Sequence, residues 1–240
     1  MEKNISKTKT AAGVDEGLRA YMIKVYNFMA GGLVATALAA WAAINTPLFN
    51  LFFTQTKQGL YTMSPLGWIA LIAPLVMVFA FGWVLNRGTS KQVQALFWGF
   101  SVVMGIGLAP ILLIYTSASV TRIFMITAAM FGGLSLYGYT TKKDLTAMGS
   151  FMMMGLIGVI IAMIVNIFMR SPAMYYVLSV LSVIIFTGLT AYDTQKIRNM
   201  YTHYDADETL TKKAVAGALS LYLDFINLFL ALLRLFGDRR

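Results

Sequence analysis

Seven long runs of apolar residues divide the chain, and short polar stretches separate them. Each run is close to the roughly 20 residues that an α-helix needs to cross the hydrocarbon core of a bilayer. The pattern predicts seven transmembrane helices at about 25–44, 65–85, 93–115, 120–139, 148–169, 173–194 and 214–236. Residues 1–20 are polar and lack the apolar core of a signal peptide, so we expect a cytoplasmic tail there and a seven-helix transmembrane domain over 21–240.

The composition agrees with an all-α polytopic membrane protein whose main partner is the lipid bilayer. Of 240 residues, 58% are hydrophobic and 12% are charged, whereas an average soluble domain has about 25% charged residues. The net charge of +9 does not indicate nucleic acid, because Lys and Arg gather in the cytoplasmic loops of membrane proteins. There is no cysteine and only one histidine, His203. Thiolate and multi-histidine metal sites are therefore excluded, and no cofactor is expected.

The basic residues also predict an orientation. With the N-terminus inside, thirteen Lys and Arg residues fall on the cytoplasmic side and six on the other, as the positive-inside rule requires. This pattern, without a targeting peptide, favours a bacterial inner membrane. Arg234, Arg239 and Arg240 would lie outside if the last segment crosses fully. A re-entrant seventh segment is therefore the alternative.

Two acidic residues stand apart from the other eight, which all lie in tails or loops. Asp193 and Asp224 lie within apolar runs, where a carboxylate is costly and usually serves a function. They belong to the cytoplasmic halves of consecutive antiparallel spans. If the helix of Asp193 continues to about Met200, the two side chains can meet. Ser220 and Asn227 share a helical face with Asp224.

Two carboxyl groups in contact would share a proton over some range of pH, which makes a proton-controlled switch. When ionised, the pair attracts a cation. Calcium prefers oxygen ligands but takes about six to eight of them, so Asp193 and Asp224 with Asn227 predict transient calcium binding. The alternative is structural: each aspartate bonds to the hydroxyl of Thr190, Thr194 or Ser220 and fixes helix packing.

A closed state of such a switch needs a basic partner for the ionised pair. Arg87, at the cytoplasmic end of the second span, is the residue best placed by depth. Its alternative role is a simple interfacial anchor, which is common for arginine at the end of a transmembrane helix.

Two segments resemble the signature helices of the Bax inhibitor-1 family, also called the transmembrane Bax inhibitor motif family. They are TGLTAYDTQKIRNMY (187–201) and ALSLYLDFINLFLALLRLFG (218–237). The resemblance implies six helices around a central seventh and activity as a pH-sensitive calcium leak. It also implies that Asp193 and Asp224 are the pH-sensing pair. Arg87 matches, by its place at the end of span two, the arginine that latches onto them.

Two other classes of function compete with a leak pathway. Intramembrane aspartyl proteases also pair aspartates on adjacent spans, one of them in a Tyr-Asp dipeptide like Tyr192-Asp193. Asp224 lies in LYLDF, however, without the Gly-x-Gly-Asp of those enzymes, so we expect no catalytic residue and no enzyme activity. A regulator of a membrane protease or stress response, acting through the tail from Glu2 to Arg19, is the second alternative. Deleting residues 2–18 would separate these roles, since a channel would still conduct.

Overall fold

The computed structural model describes residues 2–55 and 61–240, with side chains described within 16–55 and 61–240. The main chain forms eight α-helices and two short strands in these ranges. In chain order they are α1 (Glu2–Asn45), α2 (Phe49–Phe52), β1 (Phe53–Gln55), β2 (Tyr61–Met63), α3 (Pro65–Arg87), α4 (Ser90–Ile114), α5 (Ser117–Thr140), α6 (Thr146–Met169), α7 (Pro172–Asn199) and α8 (Asp207–Phe236). Seven of these helices are long and apolar enough to span a membrane. The predicted all-α polytopic fold is therefore confirmed.

Three helices extend beyond the predicted apolar runs. The polar residues before the first span form the first part of α1, and the stretch that meets the requirements for a span is Glu16–Asn45. The cytoplasmic position of these polar residues stays a prediction. α7 continues to Asn199, as the meeting of the two aspartates requires. α8 begins at Asp207 and runs unbroken for 30 residues, or about 45 Å at the helical rise. That length exceeds the roughly 30 Å of the hydrocarbon core, which favours a full crossing over re-entry.

The chain separates into two compact units, the first formed by Met1–Ile111 with Ile197–Leu219 and the second by Leu112–Lys196 with Ser220–Arg240. In the first unit, the Thr36 hydroxyl of α1 donates to the Ser101 carbonyl of α4 at 2.8 Å. Gly105 faces the Thr36 backbone, where an added Cβ would collide with the carbonyl oxygen. Small residues thus let α1 and α4 pack backbone to backbone, as is common in membrane helices.

The segment between α1 and α3 contains an antiparallel strand pair that the sequence pattern does not predict. β1 and β2 pair with Phe53 opposite Met63 and Gln55 opposite Tyr61. The Phe49 ring stacks on Phe53 with ring centroids 4.9 Å apart. The aromatic side chains of Phe49, Phe53 and Tyr61 thus lie together at this strand pair.

α8 is the most enclosed of the seven spans. In its most apolar stretch 72% of the residues are buried, against 11–39% in the other six. This agrees with the central position that the resemblance implies for the seventh span. Because α8 is shielded from lipid, it can carry a carboxyl group at a depth where a lipid-facing helix cannot.

Candidate functional site

The C-terminal third of α7 carries Asp193, and two glycines let neighbouring helices approach it closely. A Cβ added to Gly138 of α5 would collide with the Ala191 carbonyl oxygen, and one added to Gly149 of α6 would collide with the Tyr192 ring. The backbone immediately before Asp193 is therefore held against both helices. The position of the aspartate follows from this packing.

Hydrogen bonds fix the turn of α7 that follows Asp193. The Thr194 hydroxyl lies 2.9 Å from the Ser135 hydroxyl of α5. The Gln195 amide accepts from the backbone N–H of Leu145 at 2.8 Å and donates to the carbonyl of Lys143 at 2.7 Å. Gln195 is buried and joins α7 to the loop before α6. Sequence reasoning missed Gln195, because nothing in the sequence indicates which loop its amide meets.

Asp224 lies in the enclosed part of α8 and is only 5% exposed. The next residue, Phe225, packs edge to face against two rings of α5, with centroid distances of 5.3 Å to Phe124 and 5.6 Å to Phe131. Such aromatic pairs stabilise a helix contact beyond their buried area. They fix the turn of α8 that carries Asp224.

The two predicted acids meet in the second unit. The carboxyl groups of Asp193 and Asp224 lie within hydrogen-bonding reach of each other. Asp193 is half-buried, whereas the Oδ2 atom of Asp224 is fully buried and has no hydrogen-bond partner within the described side chains. Two ionised carboxylates can only accept hydrogen bonds. A proton shared by the two carboxyl groups would supply a donor, and a bound cation would balance their charge.

The hydroxyl groups that would support a purely structural role are engaged elsewhere. The Thr190 hydroxyl donates to the carbonyl one turn earlier at 2.7 Å, and the Thr194 hydroxyl does the same at 2.8 Å. Each hydroxyl has a single proton, so neither donates to an aspartate. The Asn227 amide N–H likewise donates to its own helix, at 2.8 Å, while Ser220 lies half-buried one turn before Asp224. Two of the three hydroxyl groups that a purely structural role of the aspartates would use, those of Thr190 and Thr194, are thus already bonded to backbone carbonyls.

A basic residue that sequence reasoning did not select lies beside the pair. Lys196 is within electrostatic range of Asp193, three residues further along α7, and its Nζ lies 5.9 Å from the centroid of the Tyr192 ring. The sequence did contain a signal for Lys196, because the Asp-x-x-Lys spacing places both side chains on one helical face. Lys196 is exposed, so its positive charge lies on the solvent-accessible side of the helical face that carries Asp193.

Arg87, the predicted latch, is the last residue of α3 and is exposed. Its guanidinium carbon lies 5.8 Å from the centroid of the Trp83 ring, one turn earlier. An arginine beside a tryptophan at a helix end also agrees with the alternative role of Arg87 as an interfacial anchor. Arg87 belongs to the first compact unit and the aspartates to the second, and the latch stays a prediction.

An acid outside the spans provides a contrast to the pair. In the loop before α6, Asp144 Oδ1 accepts from the Thr146 hydroxyl at 2.6 Å and from its backbone N–H at 2.9 Å. These bonds hold the pKa of the exposed Asp144 carboxyl below its usual range. It therefore stays ionised in the neutral and mildly acidic range.

Fold and site together define the class of protein: a polytopic, all-α membrane protein with a carboxyl pair between its last two spans. Comparison with known families makes this specific. A family model described as "Inhibitor of apoptosis-promoting Bax1" matches residues 18–240. The chain belongs to the Bax inhibitor-1 family, as the two signature segments indicated.

Bacterial relatives match along nearly the full length. An uncharacterized protein of Rickettsia prowazekii is 43% identical over 239 residues, covering 99% of this chain and 98% of the relative. The inner membrane protein YbhL of Escherichia coli K12 is 43% identical over 227 residues, covering 93% and 94% of the two chains. The uncharacterized protein YrjE of Lactococcus lactis is 39% identical over 223 residues, covering 92% of each. The chain is thus an integral membrane protein of a family found across distant bacteria.

Proposed function

We propose that the chain forms a calcium-permeable leak pathway whose conductance is controlled by protons on Asp193 and Asp224. The observation that carries this proposal is the approach of the two carboxyl groups, one of which has a buried oxygen without a hydrogen-bond partner in the described chain. Such a pair binds either a proton or a cation. It can therefore exchange one for the other.

Calcium is the proposed permeant ion because it is a hard cation that prefers oxygen ligands. The pair supplies at most four of the roughly six to eight oxygens that calcium takes, and water would provide the rest. Within the described residues there is no group of three or more His, Cys, Asp or Glu side chains that could hold a metal ion. Weak, incomplete coordination suits an ion that passes through better than one that is stored.

Arg87 is the proposed latch of the closed state. An ionised carboxyl pair attracts a guanidinium, and a protonated pair does not. Acidification would therefore release Arg87 and let the helices part, so that the leak increases as the pH falls. The place of Arg87 at the end of α3 and the family resemblance support this step.

We further propose that the protein lies in a bacterial inner membrane with its N-terminus in the cytoplasm. The thirteen-to-six division of basic residues supports the orientation, and the similarity to an inner membrane protein of E. coli supports the compartment. The pathway is proposed to be passive and not enzymatic. The Leu-Tyr-Leu-Asp context of Asp224 lacks the glycines that would admit a substrate backbone.

Calcium entry into liposomes containing the full chain, recorded at several values between about pH 5 and 8, tests the proposal. We expect the wild type to leak more at the acidic end. Asp193→Asn and Asp224→Asn each remove an ionisable group from the pair, so both variants should lose most of the pH dependence.

Asp144→Asn is the matched control. Its carboxyl group is exposed and already ionised throughout this window because its pKa lies below the usual range. The control variant should keep the wild-type profile. Wild-type flux and pH response in both pair variants would overturn the proposal.

A further inference from the structure

Two adjoining cavities lie where α6 ends, α7 begins and α8 ends, all within the second unit. Their volumes are about 330 and 460 Å³, and Asn166, Arg170 and Tyr175 line both. Arg234 lines the first cavity and Arg239 lines the second. Three arginines thus border one concave region.

The turn that presents Arg170 is built by hydrogen bonds of Asn166. Arg170 adopts a left-handed conformation with φ 51°, and its N–H donates to the Asn166 carbonyl at 2.8 Å. The Asn166 side-chain oxygen accepts from the Ser171 N–H at 3.0 Å. A left-handed residue other than glycine costs free energy. The same amide that lines both cavities therefore holds this conformation in place.

The arginines of this region carry no compensating acid. Within the described side chains, Arg170, Arg234 and Arg239 form no ion pair, and the neighbouring Asp238 is bound by Arg122 at 2.9 Å. Arg234 lies over the Tyr175 ring at 5.8 Å from its centroid. Aromatic support of this kind orients a guanidinium without neutralising it. The region is therefore strongly positive.

The walls of the first cavity are apolar. Met163, Ile167 and Leu178 line it beside Arg170 and Arg234. On the outer face of α6, Ile167 is 69% exposed and the next residue, Phe168, is 82% exposed. In a membrane-spanning helix these side chains face acyl chains. A ligand here would meet positive charge at one end and hydrocarbon at the other.

We propose that this region, defined by Asn166, Arg170, Tyr175, Arg234 and Arg239, binds the phosphate of an anionic phospholipid, with an acyl chain along Met163 and Ile167. Guanidinium groups bind phosphate oxygens bidentately. The proposal also accounts for Arg234 and Arg239, which in the proposed orientation lie on the side of the membrane where the positive-inside rule disfavours them. A lipid phosphate supplies the missing negative charge.

Lipid binding to the delipidated full-length protein in detergent, followed by native mass spectrometry, tests this site. Dioleoylphosphatidylglycerol is compared with dioleoylphosphatidylcholine, and glycerol phosphate is added as a soluble competitor. We expect the wild type to prefer phosphatidylglycerol. Arg170→Gln/Arg234→Gln should weaken that binding by about tenfold or more, since each basic residue near an anionic lipid surface contributes about fivefold.

Two further variants separate the site from general effects of charge or folding. Lys142→Gln removes an exposed positive charge from the loop before α6, at the opposite end of that helix from the cavities, and it should bind lipid like the wild type. Arg170→Lys/Arg234→Lys keeps the charge and should retain much of the binding. Equal binding of both lipids, full displacement by glycerol phosphate, or the same loss in Lys142→Gln would each overturn the proposal.

Discussion

Among single residues, Asp224 matters most for the proposed switch, because its Oδ2 atom is buried without a hydrogen-bond partner among the described residues. A buried carboxyl oxygen without a hydrogen bond costs free energy that folding must offset elsewhere, and the neighbouring carboxyl of Asp193 increases that cost when both are ionised. The nearby threonine hydroxyls are bonded to backbone carbonyls. A proton shared between the two carboxyl groups would lower that cost, and so would a bound cation.

The proposed role of Arg87 as a latch can be tested by removing its charge. Arg87→Gln removes the proposed counter-charge of the ionised pair, so the leak near neutral pH should rise towards the acidic level and the pH profile should flatten. Lys91→Gln, an exposed basic residue in the first turn of α4, is the control and should behave like the wild type. Calcium entry into liposomes measures both. An unchanged profile in Arg87→Gln would leave Arg87 as an interfacial anchor only.

The sequence predicts the two aspartates because a charge in an apolar run is conspicuous, and it predicts their meeting from the antiparallel order of the spans. It does not predict Gln195, whose two partners in the loop before α6 are fixed only by tertiary packing. Lys196 was also missed, since an exposed lysine just beyond an apolar run resembles any interfacial residue. The sequence pattern thus identifies a buried charged residue more readily than it identifies the residues that surround it.

At the scale of elements, glycines determine how closely the helices approach α7. Gly138 faces the Ala191 carbonyl, two residues before Asp193. Gly133, on the same helix, faces open space: apart from its own helix backbone, no atom of the described residues lies within 4 Å of an added Cβ. The two positions carry the same residue type in one helix but in different surroundings. They therefore separate the effect of packing from that of helix propensity.

Gly138→Ala should lower the thermal midpoint of unfolding in detergent, because overpacking against a backbone costs about 1–3 kcal/mol. Gly133→Ala should leave the midpoint unchanged or raise it slightly, because alanine favours a helix over glycine by about 1 kcal/mol. Equal midpoints in the two variants would contradict the close contact of α5 and α7.

At the scale of the whole molecule, the number and order of the spans follow from the sequence because bilayer thickness sets their length. The helix ends are less predictable. α1, α7 and α8 continue into polar residues. There the length of the apolar run does not indicate where the helix begins or ends. The β1–β2 pair has strands of three residues, too short for the alternation that identifies a strand.

The orientation can be tested directly because the natural chain has no cysteine. Tyr204, which is 85% exposed between α7 and α8, is predicted to face the cytoplasm, and the exposed Asn50 of α2 the opposite side. In intact cells, a membrane-impermeant maleimide should therefore label Asn50→Cys and not Tyr204→Cys. Tyr204→Cys should be labelled only after the cells are lysed. The reverse pattern would show that the chain has the opposite orientation.

The coupling of the two carboxyl groups is tested most directly by calcium flux against pH for Asp193→Asn, Asp224→Asn and the double variant. Because residues that act as one unit have non-additive effects, we predict that the double variant loses no more pH dependence than either single variant. Losses that add across the two positions, or a double variant that keeps the wild-type pH response, would contradict a shared proton switch.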